Sequence, residues 1–237
     1  LRLLRRAGVD ARGVERREGH TLRWTGRYTE GFGVSEVRNA DLGVVAGWQP
    51  RVPDAFRDAR YVLLANTDPR AQLEALEQLA PKMLVLDTMD QWIREPRDLE
   101  RVIARATVLS VNVRELALIA GADDIDRAAA VILDRGPRAV IVKRGAAGAS
   151  LVTRDRSVSV PAYPVAVVDP TGAGDAFAGA FLGRLGELRR DDDAGLREAF
   201  GHGAAAASVT IASFGVDALV RASRAELDRR AAWIDAR

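Results

Sequence analysis

A chain of 237 residues, 48% hydrophobic and 29% charged, has the composition of a globular protein with room for one large domain and a small accessory. It has no cysteine, which excludes disulfides and thiolate metal sites, and only two histidines, His20 and His202, which excludes a multi-His metal centre. The net charge of +2 arises from interspersed Arg and acidic residues, read as solvated faces and not a nucleic-acid stripe, and no apolar run nears the roughly 18 residues of a membrane span.

Leu1 to Ala7 reads as the end of an amphipathic helix, and its Arg2, Arg5 and Arg6 do not suit a secretory signal, so a cytoplasmic protein is expected. Thr21 to Tyr28 alternates in polarity as a half-exposed strand does, and Asp41 to Trp48 is expected to be its partner after a loop containing Gly31 and Gly33. From residue 60 strands and helices alternate. Tyr61 to Asn66 is a strand, and Asp68 with Pro69 starts a helix through Leu79. Met83 to Asp87, Val108 to Val111 and Ala139 to Lys143 are buried-type strands, with helices at Arg97 to Ala106, Val113 to Ile119 and Arg127 to Asp134. Gly145 and Gly148 turn the chain into Ala149 to Thr153, and Ser157 to Ala162 and Val165 to Val168 are further strand-like runs. Two long helices, Asp175 to Leu188 and Asp193 to Ser213, follow, and Ser223 to Glu226 is a capping box for the last helix. This order predicts an α/β fold with a mostly parallel central sheet covered by helices on both faces. Ligands in such sheets bind beyond the carboxyl ends of the strands, where Asn66, Asp87, Asn112 and the Gly145 turn are expected to meet.

The stretch with the sharpest chemistry is Asp169-Pro170-Thr171-Gly172-Ala173-Gly174-Asp175-Ala176-Phe177. A glycine turn opening a helix leaves free N–H groups at the positive end of the helix dipole, which makes an anion site. Asp175 beside it is placed to take a proton from an attacking hydroxyl. No Lys follows the glycines as a Walker A loop requires, and Phe177 stands where a dinucleotide fingerprint needs a small residue. Asn112 and Glu115 have the spacing of a capping box, and equally of a pair that holds water around Mg²⁺. Lys143 is either a point charge for a phosphate or a solvated strand end.

The glycine run resembles the second signature of the PfkB (ribokinase-like) carbohydrate kinase family nearly letter for letter, and the upstream Asn112-Val113-Arg114-Glu115 is similar to that family's Asn-x-x-Glu motif. The resemblance implies a three-layer kinase with ATP and Mg²⁺ as cofactors, the metal held through water near Asn112 and Glu115. It implies that Asp175 is the base and that Gly172, Ala173 and Gly174 line the anion hole. Thr171, Lys143, Gly145, Gly148 and His202 fall on the nucleotide and phosphate side; Lys143 stands where the family usually has Thr. The segment Gly201 to Ser208 is similar to the helix bordering the adenine pocket, or simply permits close packing. Asn66, Asp87, Asp169, Trp24 and Arg27 fall on the acceptor side. Residues 20–48 correspond to a small β lid within one kinase domain spanning 1–237, a lid that often pairs subunits into a homodimer, although Trp24 and Arg27 also suit the plain surface of a ribbon. Leu1 to Asp10 resembles the helix and turn that follow the family's N-terminal strand and Gly-Gly motif, so a chain lacking that region is expected. The reaction implied is transfer of the γ-phosphoryl group to a hydroxyl of a sugar. The alternatives are a nucleoside kinase of the same fold and a non-catalytic nucleotide-binding relative. Neither nucleic acid nor membrane is an expected partner.

Overall fold

The computed structural model describes residues 1–28, 35–94 and 96–237, with the backbone alone for 35–38. The chain forms two compact units, residues 1–59 with 71–80 and residues 60–70 with 81–237.

The first unit begins with the short helix α1 (Arg2–Arg6) and contains an antiparallel ribbon of β1 (Arg23–Tyr28) and β2 (Ser35–Asp41). Along β1 exposure alternates, with Trp24, Gly26 and Tyr28 half-buried and Arg23, Thr25 and Arg27 exposed, as the period of two requires. The second strand is not Asp41 to Trp48. It ends at Asp41, whose Oδ1 accepts from the Gly43 amide at 3.0 Å, and a 3₁₀ turn over Gly43–Val45 follows. A side-chain acceptor two residues back closes a turn and ends strand pairing. The expected loop around Gly31 and Gly33 lies outside the described residues.

The second unit is built on a six-stranded sheet in the order β3 (Tyr61–Leu64), β4 (Met83–Asp87), β5 (Val108–Asn112), β6 (Ala139–Lys143), β7 (Ala149–Thr153), β8 (Ser157–Val160). Strands β3 to β6 are parallel, and β7 and β8 are added antiparallel. In chain order α2 (Pro69–Leu76), most of it in the first unit, comes between β3 and β4, and α3 (Asp90–Ile93), α4 (Pro96–Ile103), α5 (Val113–Ala120) and α6 (Ile125–Asp134) come between the later strands. After the sheet come α7 (Ala173–Leu188), α8 (Asp193–Thr210), α9 (Asp217–Arg221) and α10 (Arg224–Asp235). Side chains alternate across a strand, so Met83 and Val85, Val108, and Ala139 and Ile141 share one face. There they pack with Phe177, Phe181 and Leu185 of α7, Leu196 and Phe200 of α8 and Ile234 of α10. Helices α5 and α6 contact the strands as a further layer. None of the helices described is long and apolar enough to cross a membrane.

Three expected ends move for physical reasons. Val165 to Val168 is not a strand; it lies between Pro164 and Pro170, and the amides of Val168 and Asp169 bond to the Ile211 carbonyl at the end of α8 instead of to a neighbouring strand. Ser157 to Ala162 stops at Val160, before Pro161. At the last helix only half of the capping box forms: Ser223 Oγ accepts from Glu226 N at 3.2 Å, while the Glu226 carboxylate is paired with Arg229 and Arg230. The small residues of α8 serve packing. A Cβ at Gly203 would stand 2.8 Å from the Phe177 ring, and one at Gly201 would stand 2.5 Å from the Asp235 carboxylate.

Candidate active site

The glycine run forms a tight entry to α7. Asp169 Oδ1 accepts from Thr171 N at 3.0 Å, and Gly172 caps the helix with φ +83°, a left-handed conformation that favours glycine. The amide of Ala173 donates to Pro170 O at 3.2 Å, so of the three amides expected to face an anion this one is already partnered. At a helix start the first amides lack the intrahelical carbonyl, and a turn of this kind can meet an anion. Thr171 and Asp175 are exposed. The Asp175 carboxyl is nonetheless pushed above the usual carboxylate range, first by partial burial against surrounding protein, then by the Asp87 charge, against the pull of Lys143.

Period two places Asp87 after Met83 and Val85, and Lys143 after Ala139 and Ile141, on the sheet face that α7 covers. Their side chains meet across the end of β5, with Lys143 Nζ 2.8 Å from Asp87 Oδ1. Both are largely buried, at 19% and 7% exposure, so Lys143 is not the solvated strand end. A Cβ at Gly174 would lie 3.1 Å from the Lys143 nitrogen and 3.8 Å from Asp87 Oδ2. The pair therefore abuts the glycine turn, which brings Asp87, expected on the acceptor side, next to Gly174.

Asn112 ends β5 and caps α5 in a complete capping box: Asn112 Oδ1 accepts from Glu115 N, and Glu115 Oε2 accepts from Asn112 N, both at 2.8 Å. Glu115 is buried, and burial raises its carboxyl to about 7, with Lys143 and the Asn112 amide pulling down and Asp87 and Asp90 pushing up. Several carboxylates thus crowd one lysine. Among the described residues no group of three or more His, Cys, Asp or Glu forms a metal-holding cluster. Mg²⁺ needs only one or two carboxylates when it keeps its waters and takes phosphate oxygens, and the excess of negative charge here fits such a cation.

Asn66, beyond the end of β3, has its amide occupied: Nδ2 contacts Met89 Sδ at 2.9 Å and Oδ1 accepts from Trp92 Nε1 at 2.8 Å. Asp90 pairs with Arg114 at 3.0 Å, tying α3 to the first turn of α5. Met89, Asp90, Trp92 and Arg114 are absent from the sequence-based expectation. The available signal was the position of Met89, Asp90 and Trp92 just past a strand exit, and of Arg114 inside the Asn-x-x-Glu spacing. Gly145 and Gly148 bracket the β6–β7 hairpin turn, where Arg144 N bonds Gly148 O at 2.8 Å. His202 is held by Glu198 O at 3.1 Å and Asp228 Oδ1 at 3.0 Å, in the packing of α8 on α10, so its ring is already occupied by structure. Trp24 and Arg27 lie on the ribbon of the first unit.

A family profile described as pfkB family carbohydrate kinase matches residues 1–222. The cytidine kinase of Thermococcus kodakarensis is 30% identical over 182 residues, 73% of this chain and 64% of that protein. The fructokinase of Klebsiella pneumoniae is 39% identical over 101 residues, 40% of this chain and 33% of the relative, and the aminoimidazole riboside kinase of Salmonella typhimurium is 35% identical over 120 residues, 51% and 38%. The chain thus spans from a third to just under two thirds of the length of these curated relatives. In fold it is similar to the Thermotoga maritima ribokinase, with a TM-score of 0.72 at 23% identity over 95% of this chain and 74% of the other. It is similar also to the Burkholderia thailandensis nucleoside kinase in complex with inosine, with a TM-score of 0.74 at 22% identity over 98% and 76%.

Proposed function

Because the chain belongs to the pfkB family of carbohydrate kinases, we propose that it transfers the γ-phosphoryl group of ATP to a hydroxyl of a sugar or a nucleoside. The observation that carries this reading is the exposed Asp175 in the first turn of α7, directly after the glycine entry and beside the Asp87–Lys143 pair. Asp175 takes the proton of the acceptor hydroxyl. The acceptor oxygen then forms its bond to the γ-phosphorus as the bond from that phosphorus to the β–γ bridging oxygen breaks, and ADP leaves with the electron pair. The amides of Gly172 and Gly174 hold the charge on the migrating group. Asn112 and Glu115 would hold Mg²⁺ through water, and that ion would supply neutralisation of the phosphate charge. Gly145, Gly148 and Thr171 are assigned to the nucleotide side, and Asn66 and Asp169 to the shaping of the acceptor side. The ribbon of residues 20–48, with Trp24 and Arg27, is assigned the role of lid and of a homodimer contact, and the ATP requirement points to the cytoplasm.

A nucleoside acceptor has one specific support: the match to the cytidine kinase runs over 182 residues and that to the fructokinase over 101. The test is ATP consumption by the purified protein against a panel of sugars and nucleosides. Turnover with one of them supports the reading; binding of Mg-ATP without turnover on any acceptor overturns it in favour of a non-catalytic relative. Chelation of divalent cations is expected to abolish turnover, and added Mg²⁺ to restore it.

The pH profile carries a second expectation. A base works only when deprotonated, and the Asp175 carboxyl is raised above its usual 3.8. Its proton is therefore retained to a higher pH than in a free carboxylate, and kcat/KM should fall, as pH drops, above the ordinary carboxylate range. Asp87 and Lys143 are the charged groups that act on it. Asp87→Asn removes a like charge and should move this acid limb to lower pH; an unmoved limb would separate Asp87 from the base.

A further inference from the structure

We propose that Lys143 is the cation that receives the γ-phosphoryl group of the nucleotide, and that Asp87 is the positioning residue that holds it in place. The inference deepens the kinase reading above and rests on it for the identity of the anion.

The geometry that carries it is the meeting of three elements at one point. Lys143 leaves the end of β6 and passes over the end of β5 to reach Asp87 on β4, at 2.8 Å. Two strands that are not neighbours are thus linked by side chains above the strand between them. The ammonium then lies against the backbone of Gly174, where a Cβ would stand only 3.1 Å away. Glycine inside a helix is less stable than alanine, and here its missing side chain is the space the ammonium uses. The positive group therefore sits beside the amides of the same turn, on the side from which a phosphoryl group would approach.

Charge favours a ligand over a staple. A buried ion pair is weak evidence for stability, since desolvation offsets most of the attraction. Lys143 faces Asp87 on β4, Glu115 on α5 and Asp175 on α7, and it stabilises the ionised form of the last two. An ammonium has three N–H donors, and Asp87 Oδ1 takes one. The others can meet a phosphate oxygen while Asp87 keeps its hold. A compact point charge on a flexible stem suits a group that moves from donor to acceptor, because it does not demand the fixed fork geometry of Arg. ATP carries a group for this cation to meet, and ADP does not. Lys143 moves no proton in this scheme; it sets which nucleotide is preferred and steadies the migrating group.

The test is calorimetric titration of the full chain with ADP and with the non-hydrolysable β,γ-imido analogue of ATP, both with Mg²⁺. Lys143→Met is expected to reduce the preference for the analogue over ADP by about tenfold or more, the scale of a lost charge-assisted contact, while ADP affinity stays within a small factor. Turnover should fall by at least a similar factor, and Lys143→Arg should recover part of it. Asp87→Asn, which keeps the lysine but loosens it, should lose part of the same preference. Removing the lysine alone leaves Asp87 buried without its cation, so Lys143→Met with Asp87→Asn is the second variant. It restores neutrality, and thermal melting shows whether it folds. If the pair is only a staple, this double variant keeps the wild-type preference for the analogue and the inference is overturned. If wild type turns over no acceptor, the kinase reading fails, and the comparison of the two nucleotides still decides the placement of Lys143.

Discussion

Replacing Asp175 by Asn is expected to lower turnover by about 10²- to 10⁴-fold, the range for loss of a positioned general base, with the fold and ATP binding left in place. The residue stands in the first turn of α7 and is exposed, so the isosteric amide meets no packing constraint. Two electrostatic effects on stability oppose each other. A negative charge near a helix start is favourable by roughly 0.3–1 kcal/mol, and Asn gives that up. Against this, the Asp175 carboxyl is raised in the folded protein, so its ionised form is disfavoured there relative to the unfolded chain. That penalty is present above the folded pKa and fades as pH falls toward the unfolded value, and Asn is free of it at any pH. The expected result at pH 8 is a melting temperature close to wild type together with a turnover collapse. Steady-state kinetics with the acceptor found in the panel, set beside calorimetry with ATP, checks both halves. Near-normal turnover would remove Asp175 from the role of base.

The second large effect is on stability. Gly148→Ala is expected to destabilise the chain by at least about 3 kcal/mol, beyond the ordinary range for single substitutions. Gly148 has φ +88° and ψ −137°, a region closed to residues with a Cβ. The added carbon would stand 1.9 Å from Val160 O and 2.7–2.8 Å from the Pro161 backbone. Those atoms end β8, which is paired to β7 along its length, so no flexible side chain can yield. Gly145, three residues earlier in the same turn, is the control. It also has positive φ, at +57°, but a Cβ there meets nothing within 4 Å. Gly145→Ala should therefore show only the local backbone penalty, roughly 1–2 kcal/mol. Chemical denaturation of both variants measures the difference. Equal midpoints would mean that the hairpin turn tolerates the crowding, and that Gly148 has no packing role.

Much of the site was legible because its parts are local. The glycine run, Asp175 four residues from Gly172's neighbour Thr171, and the Asn112–Glu115 cap all lie within one turn of a helix start, where sequence spacing fixes spatial spacing. The cap and the metal-water reading of Asn112 and Glu115 were both open from the sequence. The cap is formed in full, and the carboxylate is left in a crowded negative corner. His202 illustrates the opposite case. The sequence puts His202 on the nucleotide side by resemblance alone, and its contact with Asp228, twenty-six residues later on α10, is visible only in the structure. The second strand of the ribbon was misplaced for a similar reason. Apolar Val44 and Val45 imitate a strand, while the bond from Gly43 N to Asp41 Oδ1 had already closed it.

The sequence by itself determined the alternation of strands and helices, the mostly parallel sheet this implies and the chemistry of the α7 entry, since hydrophobic runs, proline and glycine act over a few residues. It also placed Asp87 at a strand exit and Lys143 at the end of its strand. That the two meet, and meet at Gly174, was decided only by strand order: β5 enters the sheet between β4 and β6 and brings groups fifty-six residues apart in the chain to 2.8 Å. Parallel pairing is non-local, and the depth at which a buried cation finds its carboxylate depends on the register of three strands at once.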